Sequence, residues 1–220
     1  SCTLFTTALN LARSGGRGLD LGCGPGTPLY NLRKRFNGEI FALDILYDML
    51  SLARKMTPDV KFVVGDALMT PFRRSAFDFI LSAMVIEHVN DVILAKEIQR
   101  ILRPGGILLL STVLRKKGAI YFHRNARGKM VLEPSHLREY ESVQEVKALL
   151  ESNNFEVKGV AVDSLRFSPL DLAFRRLYRI LPNEVMASLP KRNSIVAIRK
   201  FTRVPIPRYG VISIIARKEA

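Results

Sequence analysis

Apolar residues along this chain follow two alternating spacings. Short, nearly continuous apolar runs, typical of buried strands, occur at residues 18–21, 39–44 and 107–113. Between such runs lie segments such as 4–12 and 46–56, in which apolar residues recur every three or four positions, as on amphipathic helices. This alternation predicts an α/β fold: a doubly wound, mostly parallel, Rossmann-like sheet with helices on both faces.

The remaining predicted elements continue this alternation. Further strands are expected at 60–64, 77–82, 155–162 and 211–217, and further helices at 27–36, 91–102 and 142–152. One stretch departs from the pattern: residues 164–208, about 45 residues between two strands, form too long a connection for a bare loop. We therefore predict a single domain over residues 1–220, with a basic lid inserted at 164–208 that begins with a helix.

The first strand leads into a glycine-rich turn, Leu19-Asp-Leu-Gly-Cys-Gly-Pro-Gly26, followed by a helix. Glycines let a ligand lie against bare backbone, and the helix N-terminus offers free N–H groups. Asp20, just before the glycines, faces the place where a cationic or amino group can bind.

Polar residues also end the following strands, where ligands bind in open α/β sheets. Asp44 can accept hydrogen bonds from two ribose hydroxyls, and Ile45 can pack on an adenine face. Asp66 and the backbone N–H of Ala67 can bind the adenine edge, and Ser82 ends the fourth strand. A single acid at a strand end is more often a helix cap or a turn former, but the common position of these residues around a glycine loop favours a nucleotide site.

The loop distinguishes between nucleotide classes. The dinucleotide fingerprint G-x-G-x-x-G fails in both frames, because its third glycine is replaced by Thr27 or Leu29. No G-x-x-x-x-G-K-[ST] pattern is present either. The loop instead reads D-x-G-x-G-x-G, which argues against a nicotinamide oxidoreductase.

This loop and four later motifs resemble the class I S-adenosylmethionine-dependent methyltransferases, and most of all the branch that includes the ubiquinone and menaquinone biosynthesis enzymes. The resemblance is good over residues 16–113 and loose over 135–163. The later motifs are Ala42-Leu-Asp-Ile45, Gly65-Asp-Ala67, Phe77-Asp-Phe-Ile-Leu-Ser82 leading to Glu87-His-Val89, and Leu102-Arg-Pro-Gly-Gly106.

The resemblance implies S-adenosylmethionine as the cofactor, bound by Asp20, Gly22, Cys23, Gly24, Asp44, Ile45, Asp66, Ala67 and Ser82. Asp20 and the glycines would contact its methionine part, with Ser82 lining the same side; Asp44 would hold the ribose. The family also implies seven strands in the order 3-2-1-4-5-7-6, with strand 7 antiparallel.

The implied reaction is attack of a substrate nucleophile on the sulfonium methyl group. Such transfer depends on alignment and water exclusion, so no catalytic base is assigned. If a base is used, the candidates are His88, His123 and His136. His88 could reach the pocket mouth, although capping or packing there is favoured, and His123 and His136 are expected to be ordinary surface residues. The exocyclic-amine methyltransferases of nucleic acids resemble one another in carrying a [DNS]-P-P-[YFW] motif after the fourth strand. Residues 82–85 lack this motif, which argues against that substrate class.

The net charge of +14 is concentrated in two segments. Residues 112–131 hold six basic and no acidic side chains, and residues 164–208 hold ten basic and two acidic ones. Three interpretations stay open: a lid with a solvated basic face, a site for an anionic or lipid-like substrate at a membrane surface, or RNA binding with Tyr121, Phe122 and Phe201 as stacking groups.

Cys2 and Cys23 provide neither a disulfide framework nor a metal-binding spacing, so no metal site is predicted. Neither a membrane-spanning run nor a signal-peptide pattern is evident, which predicts a cytoplasmic protein.

The predicted function is methyl transfer from S-adenosylmethionine to a small-molecule or lipid-like acceptor. The alternatives are an RNA methyltransferase and a non-catalytic cofactor- or RNA-binding protein.

Overall fold

The computed structural model of this chain describes residues 2–119, 123–167 and 204–219. Its helices are α1 (Cys2–Leu11), α2 (Thr27–Arg35), α3 (Tyr47–Met56), α4 (Asp91–Ile101) and α5 (Val143–Glu151), with a 3-10 turn at Ile86–His88. Its strands are β1 (Arg17–Leu21), β2 (Glu39–Asp44), β3 (Lys61–Val64), β4 (Phe77–Ala83), β5 (Leu102–Arg115), β6 (His123–Arg124), β7 (Met130–Val131), β8 (Phe155–Phe167) and β9 (Val204–Lys218).

Seven strands form one sheet in the order β3-β2-β1-β4-β5-β9-β8, and β6 and β7 form a separate hairpin. The pairings from β3 to β5 are parallel, whereas β9 runs antiparallel to both β5 and β8. Counted within the main sheet, this is the predicted order 3-2-1-4-5-7-6 with the last strand antiparallel. The fold prediction is therefore confirmed.

Two apolar cores cover the two faces of the sheet. Helices α1, α2 and α3 contribute to one core, and α4 and α5 contribute to the other. Adjacent residues in the centre of β4 alternate between them, since Ile80 belongs to the second core and Phe79 and Leu81 belong to the first. Burial on both faces explains why Phe79, Ile80 and Leu81 are consecutive apolar residues in this central strand.

The last two strands are longer than their sequence pattern predicts. Arg166 in β8 pairs with Pro205, and Phe167 pairs with Val204, so the strand ladder extends into the segment predicted as an insertion. The connection between the paired strands is thus 168–203 rather than 164–208. The predicted lid helix within it lies outside the described residues, and the lid stays a prediction.

The first basic segment contains the end of β5 and the β6–β7 hairpin. His123 is exposed there, as expected, while Tyr121 and Phe122 lie outside the described residues. Within the described part of the chain, no helix has the length and apolar character needed to cross a membrane.

Candidate functional site

The carboxyl ends of β1, β2 and β4 meet at one edge of the sheet. Asp20 pairs with Ala42 on one side and with Leu81 on the other, so these strands end at the same level. The predicted site residues Asp44 and Ser82 follow Ala42 and Leu81 along their strands, which brings them to the edge where Asp20 lies. We call this edge the cofactor edge.

The glycine loop is fixed to β2 by backbone hydrogen bonds. The N–H groups of Gly22 and Cys23 both donate to the Leu43 carbonyl, at 2.8 and 3.0 Å. The N–H of Gly24 donates to Asp44 Oδ2 at 2.8 Å. The loop is therefore held in place by the strand beside it, independently of any ligand.

Two of the loop glycines are required for different reasons. Gly26 has φ 92°, and a Cβ there would lie 2.9 Å from the Ala53 Cα, so its hydrogen permits close packing of the loop on α3. Gly24 has φ 50°, but a Cβ there would meet no atom of the described residues within 4 Å. Gly24 thus borders open space at the cofactor edge, where a ligand can approach its backbone.

Asp20 is 1% exposed, and neither of its carboxylate oxygens has a hydrogen-bond partner among the described residues. Burial, with a further contribution from the negative charge of Asp44, raises the pKa of Asp20 to about 8. Ser82 is also buried, and its Oγ has no partner within the same residues. Because unsatisfied buried polar atoms are costly, these two side chains indicate a site for a polar ligand.

Asp44 has a structural role in the turn, which is the alternative that the sequence left open for the acids at the strand ends. Its Oδ2 accepts from Gly24 N, and its Oδ1 accepts from Leu46 N at 3.0 Å just before α3. Each carboxylate oxygen has a second lone pair, so these bonds leave capacity for a ligand hydroxyl. Asp44 therefore both positions the loop and presents acceptor oxygens beside it.

Apolar side chains are exposed where β2 and β3 end. The exposed side chains at these two strand ends are Ile45, Leu46, Tyr47, Val64 and Met69, and Met69 is 80% exposed. Asp66 is exposed in the same region, and its Oδ1 accepts from Leu68 N at 2.8 Å to form a turn. A flat, partly apolar ligand can cover this surface.

Cys23 is a packing residue of the loop. It is 2% exposed and belongs to the core that contains α2 and α3. Burial, together with the charges of Asp20 and Asp44, raises the pKa of its thiol. A neutral thiol of this kind contributes shape to the loop rather than a reactive group.

A cavity of about 350 Å³ lies next to the glycine loop. It is bordered by Thr27 at the start of α2 and by Ala83, the residue after Ser82. The rest of its lining comes from α1, α2, β4, β5 and β9: Leu4, Phe5, Pro28, Asn31, Arg35, Leu81, Leu109, Ser111 and Ser213. Its size and largely apolar lining suit a small organic molecule.

The expectation that His136 is a surface residue is wrong. His136 is 2% exposed. Its Nδ1 lies 2.8 Å from Oε1 of the buried Glu139. Its ring packs edge-on against the ring of His88, with 4.9 Å between the ring centroids. His88 is partly buried, and burial, with a further contribution from His136, lowers its pKa.

Sequence reasoning also missed Glu87. It is fully buried, and burial raises its pKa to about 7. Its place directly before His88, after the fourth strand, was the available signal; no local pattern indicated that His136 lies beside it.

The structure brings most of the predicted site residues together. Asp20, Asp44 and the loop from Gly22 to Gly24 are connected by strand pairing and hydrogen bonds, and Ser82 ends the neighbouring strand. Ile45, Asp66 and Ala67 follow the next two strands. Their contacts with a cofactor stay predictions.

Comparison with known proteins identifies related sequences. Residues 19–110 match the family model described as a methyltransferase domain. A demethylmenaquinone methyltransferase from Staphylococcus aureus is 33% identical over 123 residues, which are 50% of this chain and 51% of that protein. The chain spans about half or less of the length of the curated relatives that it matches.

Solved structures show the same fold. The YcgJ protein of Bacillus subtilis aligns over 99% of this chain and 97% of its own, with a TM-score of 0.70 and 19% identity. Phosphoethanolamine N-methyltransferase 2 of Haemonchus contortus, solved with phosphomonomethylethanolamine and S-adenosylhomocysteine, aligns over 99% of this chain and 53% of its own, with a TM-score of 0.63 and 18% identity.

Proposed function

We propose that this chain is a class I S-adenosylmethionine-dependent methyltransferase, as the sequence resemblance predicted, and that it transfers a methyl group from S-adenosylmethionine to a small organic acceptor. The match of residues 19–110 to a methyltransferase domain, the related demethylmenaquinone methyltransferase and the shared fold support this proposal. The observation that carries the proposal is Asp20, a buried carboxylate without a hydrogen-bond partner among the described residues, at the base of a glycine loop. A ligand ammonium group would satisfy it through charge-assisted hydrogen bonds.

The donor set at the cofactor edge fits S-adenosylmethionine. Asp20 would bind the α-amino group, and Asp44 would accept from the ribose hydroxyls while holding Gly24. Ile45 and Met69 are exposed apolar groups suited to an adenine face, with Asp66 and Ala67 at its edge. When bound, the cofactor supplies an electrophilic sulfonium methyl group.

The chain's own contribution to the reaction is orientation and exclusion of water. The acceptor would occupy the cavity beside the loop, where apolar side chains such as Leu81 and Leu109 displace water and the hydroxyls of Thr27 and Ser111 offer hydrogen bonds. The relatives named for demethylmenaquinone and phosphoethanolamine methylation support a small-molecule acceptor. The predicted anionic or lipid-like character of the acceptor is part of this proposal.

Calorimetric titration of the ligand-free chain with S-adenosylmethionine and with NAD tests the cofactor. We expect one S-adenosylmethionine per chain and no NAD binding. Tight NAD binding without S-adenosylmethionine binding would contradict the proposal.

Gly24→Ala adds a methyl group at the open side of the loop and should weaken cofactor binding by at least about tenfold through overpacking. Gly15→Ala is the matched control, since Gly15 also has a positive φ (72°) and open space around its Cβ position but precedes β1 at the opposite edge. Both variants incur similar backbone strain, so equal loss of cofactor affinity would remove Gly24 from the site.

Transfer of a labelled methyl group into small-molecule, lipid and RNA fractions tests the acceptor class. We expect label in the small-molecule or lipid fraction. Label confined to RNA would favour the nucleic-acid alternative suggested by the basic segments, and cofactor binding without transfer into any fraction would favour the non-catalytic one.

A further inference from the structure

A second polar cluster lies just beyond the cofactor edge and has no part in the proposed methyl transfer. Glu87 and His88 belong to the 3-10 turn that follows β4, and His136 comes from the segment before α5. One potential ligand atom of each side chain lies within 4.8 Å of those of the other two. We call these three residues the Glu-His-His cluster.

Both imidazoles are oriented through Nδ1. His136 Nδ1 lies 2.8 Å from Glu139 Oε1, a carboxylate oxygen that also accepts from Leu132 N, so His136 Nδ1 carries the proton. His88 Nδ1 lies 3.4 Å from the Ser135 carbonyl, which can only accept. In the neutral form of each ring the remaining nitrogen, Nε2, therefore keeps its lone pair for coordination. The Nε2 of His136 also lies 3.9 Å from Glu133 Oε2. A carboxylate or carbonyl acceptor on the second nitrogen is the usual support of a metal-bound histidine.

Glu87 adds an oxygen whose hydrogen-bonding capacity is unused. The side chain is 0% exposed, and its Oε2 accepts from Thr112 Oγ1 at 3.1 Å. Its Oε1 is buried and has no partner among the described residues. A buried carboxylate oxygen without a donor is costly, so this atom points independently to a ligand in the cluster.

Hydrogen bonds to backbone carbonyls hold the two segments that carry the cluster. The Glu87 carbonyl accepts from Leu137 N at 2.7 Å, and Asn125 donates through its side-chain amide to the His136 carbonyl at 2.8 Å. Hydrogen bonds thus hold the turn after β4 and the segment before α5 together.

We propose that Glu87, His88 and His136 bind one divalent transition-metal ion such as Zn²⁺, with Glu139 as the positioning residue for His136. Two imidazoles and one carboxylate are a donor set that such ions take in proteins. Zinc bonds of about 2.0–2.1 Å place tetrahedral ligand atoms about 3.4 Å apart. This spacing falls within the 4.8 Å that bounds the separations of the candidate ligand atoms. The ion ties the segment before α5 to the turn after β4.

Zinc titration of the chelator-treated chain of residues 1–220 tests this site. We expect one Zn²⁺ per chain by calorimetry and by elemental analysis after dialysis. His88→Ala should weaken binding at least tenfold, while His123→Ala, which removes an exposed histidine from the β6–β7 hairpin, should leave it unchanged. Equal zinc affinity of all three proteins would overturn the proposal, since binding would then be due to other groups.

Two further measurements keep the test valid if a histidine variant folds poorly. Glu87→Gln is nearly isosteric and should also weaken zinc binding at least tenfold, with circular dichroism confirming the fold. Cobalt bound in place of zinc should show the visible absorption of a nitrogen- and oxygen-ligated ion, without a thiolate band. Absence of stoichiometric metal binding to the folded wild-type chain would overturn the proposal, and because no S-adenosylmethionine is present, that outcome leaves the proposed methyl transfer untouched.

Discussion

Asp20 and Glu87 are two buried carboxylates that the same sheet presents at neighbouring strand ends. Asp20 is in β1 and 1% exposed, and Glu87 follows β4 and is 0% exposed. Burial raises the pKa of Asp20 to about 8 and that of Glu87 to about 7. Both also have an oxygen without a partner among the described residues.

Their neighbours differ, and this difference determines which ligand each can bind. Asp20 lies at the glycine loop, close to the negative charge of Asp44, and a ligand there must bring its own positive charge and donors. Glu87 lies beside two histidines that each offer a nitrogen lone pair. Burial without a hydrogen-bond partner indicates a ligand at both sites. The neighbouring groups then favour an organic ammonium group at Asp20 and a metal ion at Glu87.

Asp20→Asn should have the largest effect on the cofactor edge. Loss of the charge-assisted bond should weaken S-adenosylmethionine binding at pH 8 by about 2–3 kcal/mol. The same change should raise the free energy of unfolding of the ligand-free chain by about 1–3 kcal/mol at pH 8, because it removes a buried charge. Calorimetry and urea unfolding measure the two quantities; a loss of both affinity and stability would contradict this role for Asp20.

The wild-type affinity should also depend on pH. With a pKa of about 8 in the ligand-free chain, Asp20 is mostly protonated below that value and must lose its proton to bind an ammonium group. The affinity for S-adenosylmethionine should therefore fall about tenfold between pH 7 and pH 6. Asp20→Asn should abolish this dependence, and a pH-independent wild-type affinity would separate Asp20 from the ligand.

The same raised pKa sets a stability trend in the ligand-free chain. Between the unfolded value near 4 and the folded value of about 8, the folded chain holds a proton that the unfolded chain releases. The contribution of Asp20 to stability is thus fully present below pH 4 and is lost as the pH rises to 8. The difference in unfolding free energy between Asp20→Asn and wild type should grow across this range, and a constant difference would be inconsistent with the raised pKa.

Asp44→Asn should have a smaller effect, of about 1 kcal/mol on both cofactor affinity and stability, because the amide accepts at only one of the two backbone N–H positions. Asp59→Asn serves as the control, since Asp59 is a half-exposed acid paired with Arg33 away from the loop. Equal effects of the two substitutions would show that Asp44 acts only through general charge.

Tyr140→Phe tests the Glu-His-His cluster and should have the smallest effect. Tyr140 is fully buried, and its hydroxyl donates to Asp91 Oδ2 at 3.0 Å, which fixes the segment that carries His136. Removing it should lower the unfolding free energy by about 1 kcal/mol. Zinc affinity should fall a few-fold while S-adenosylmethionine affinity stays unchanged; the reverse pattern would contradict the independence of the two sites.

Local patterns were sufficient for most of the sheet. β2 has the bounds predicted for it, and β1 and β4 each differ by one residue at one end, because buried parallel strands are mostly apolar. The extension of β8 and β9 to Phe167 and Val204 was not predictable in this way, since each strand there is stabilised by hydrogen bonds to the other. The position of the last strand between β5 and β8 came from family resemblance rather than from spacing.

The sequence by itself determined the glycine loop and the acids at the strand ends, because a tight turn after a buried strand requires particular residues at adjacent positions. Only the tertiary structure decided that Asp20 is left without a partner, that Asp44 holds Gly24, and that His136 is buried beside Glu87 and His88. These properties depend on contacts between segments far apart in the chain, and burial and hydrogen bonding across such contacts are set by packing rather than by local pattern.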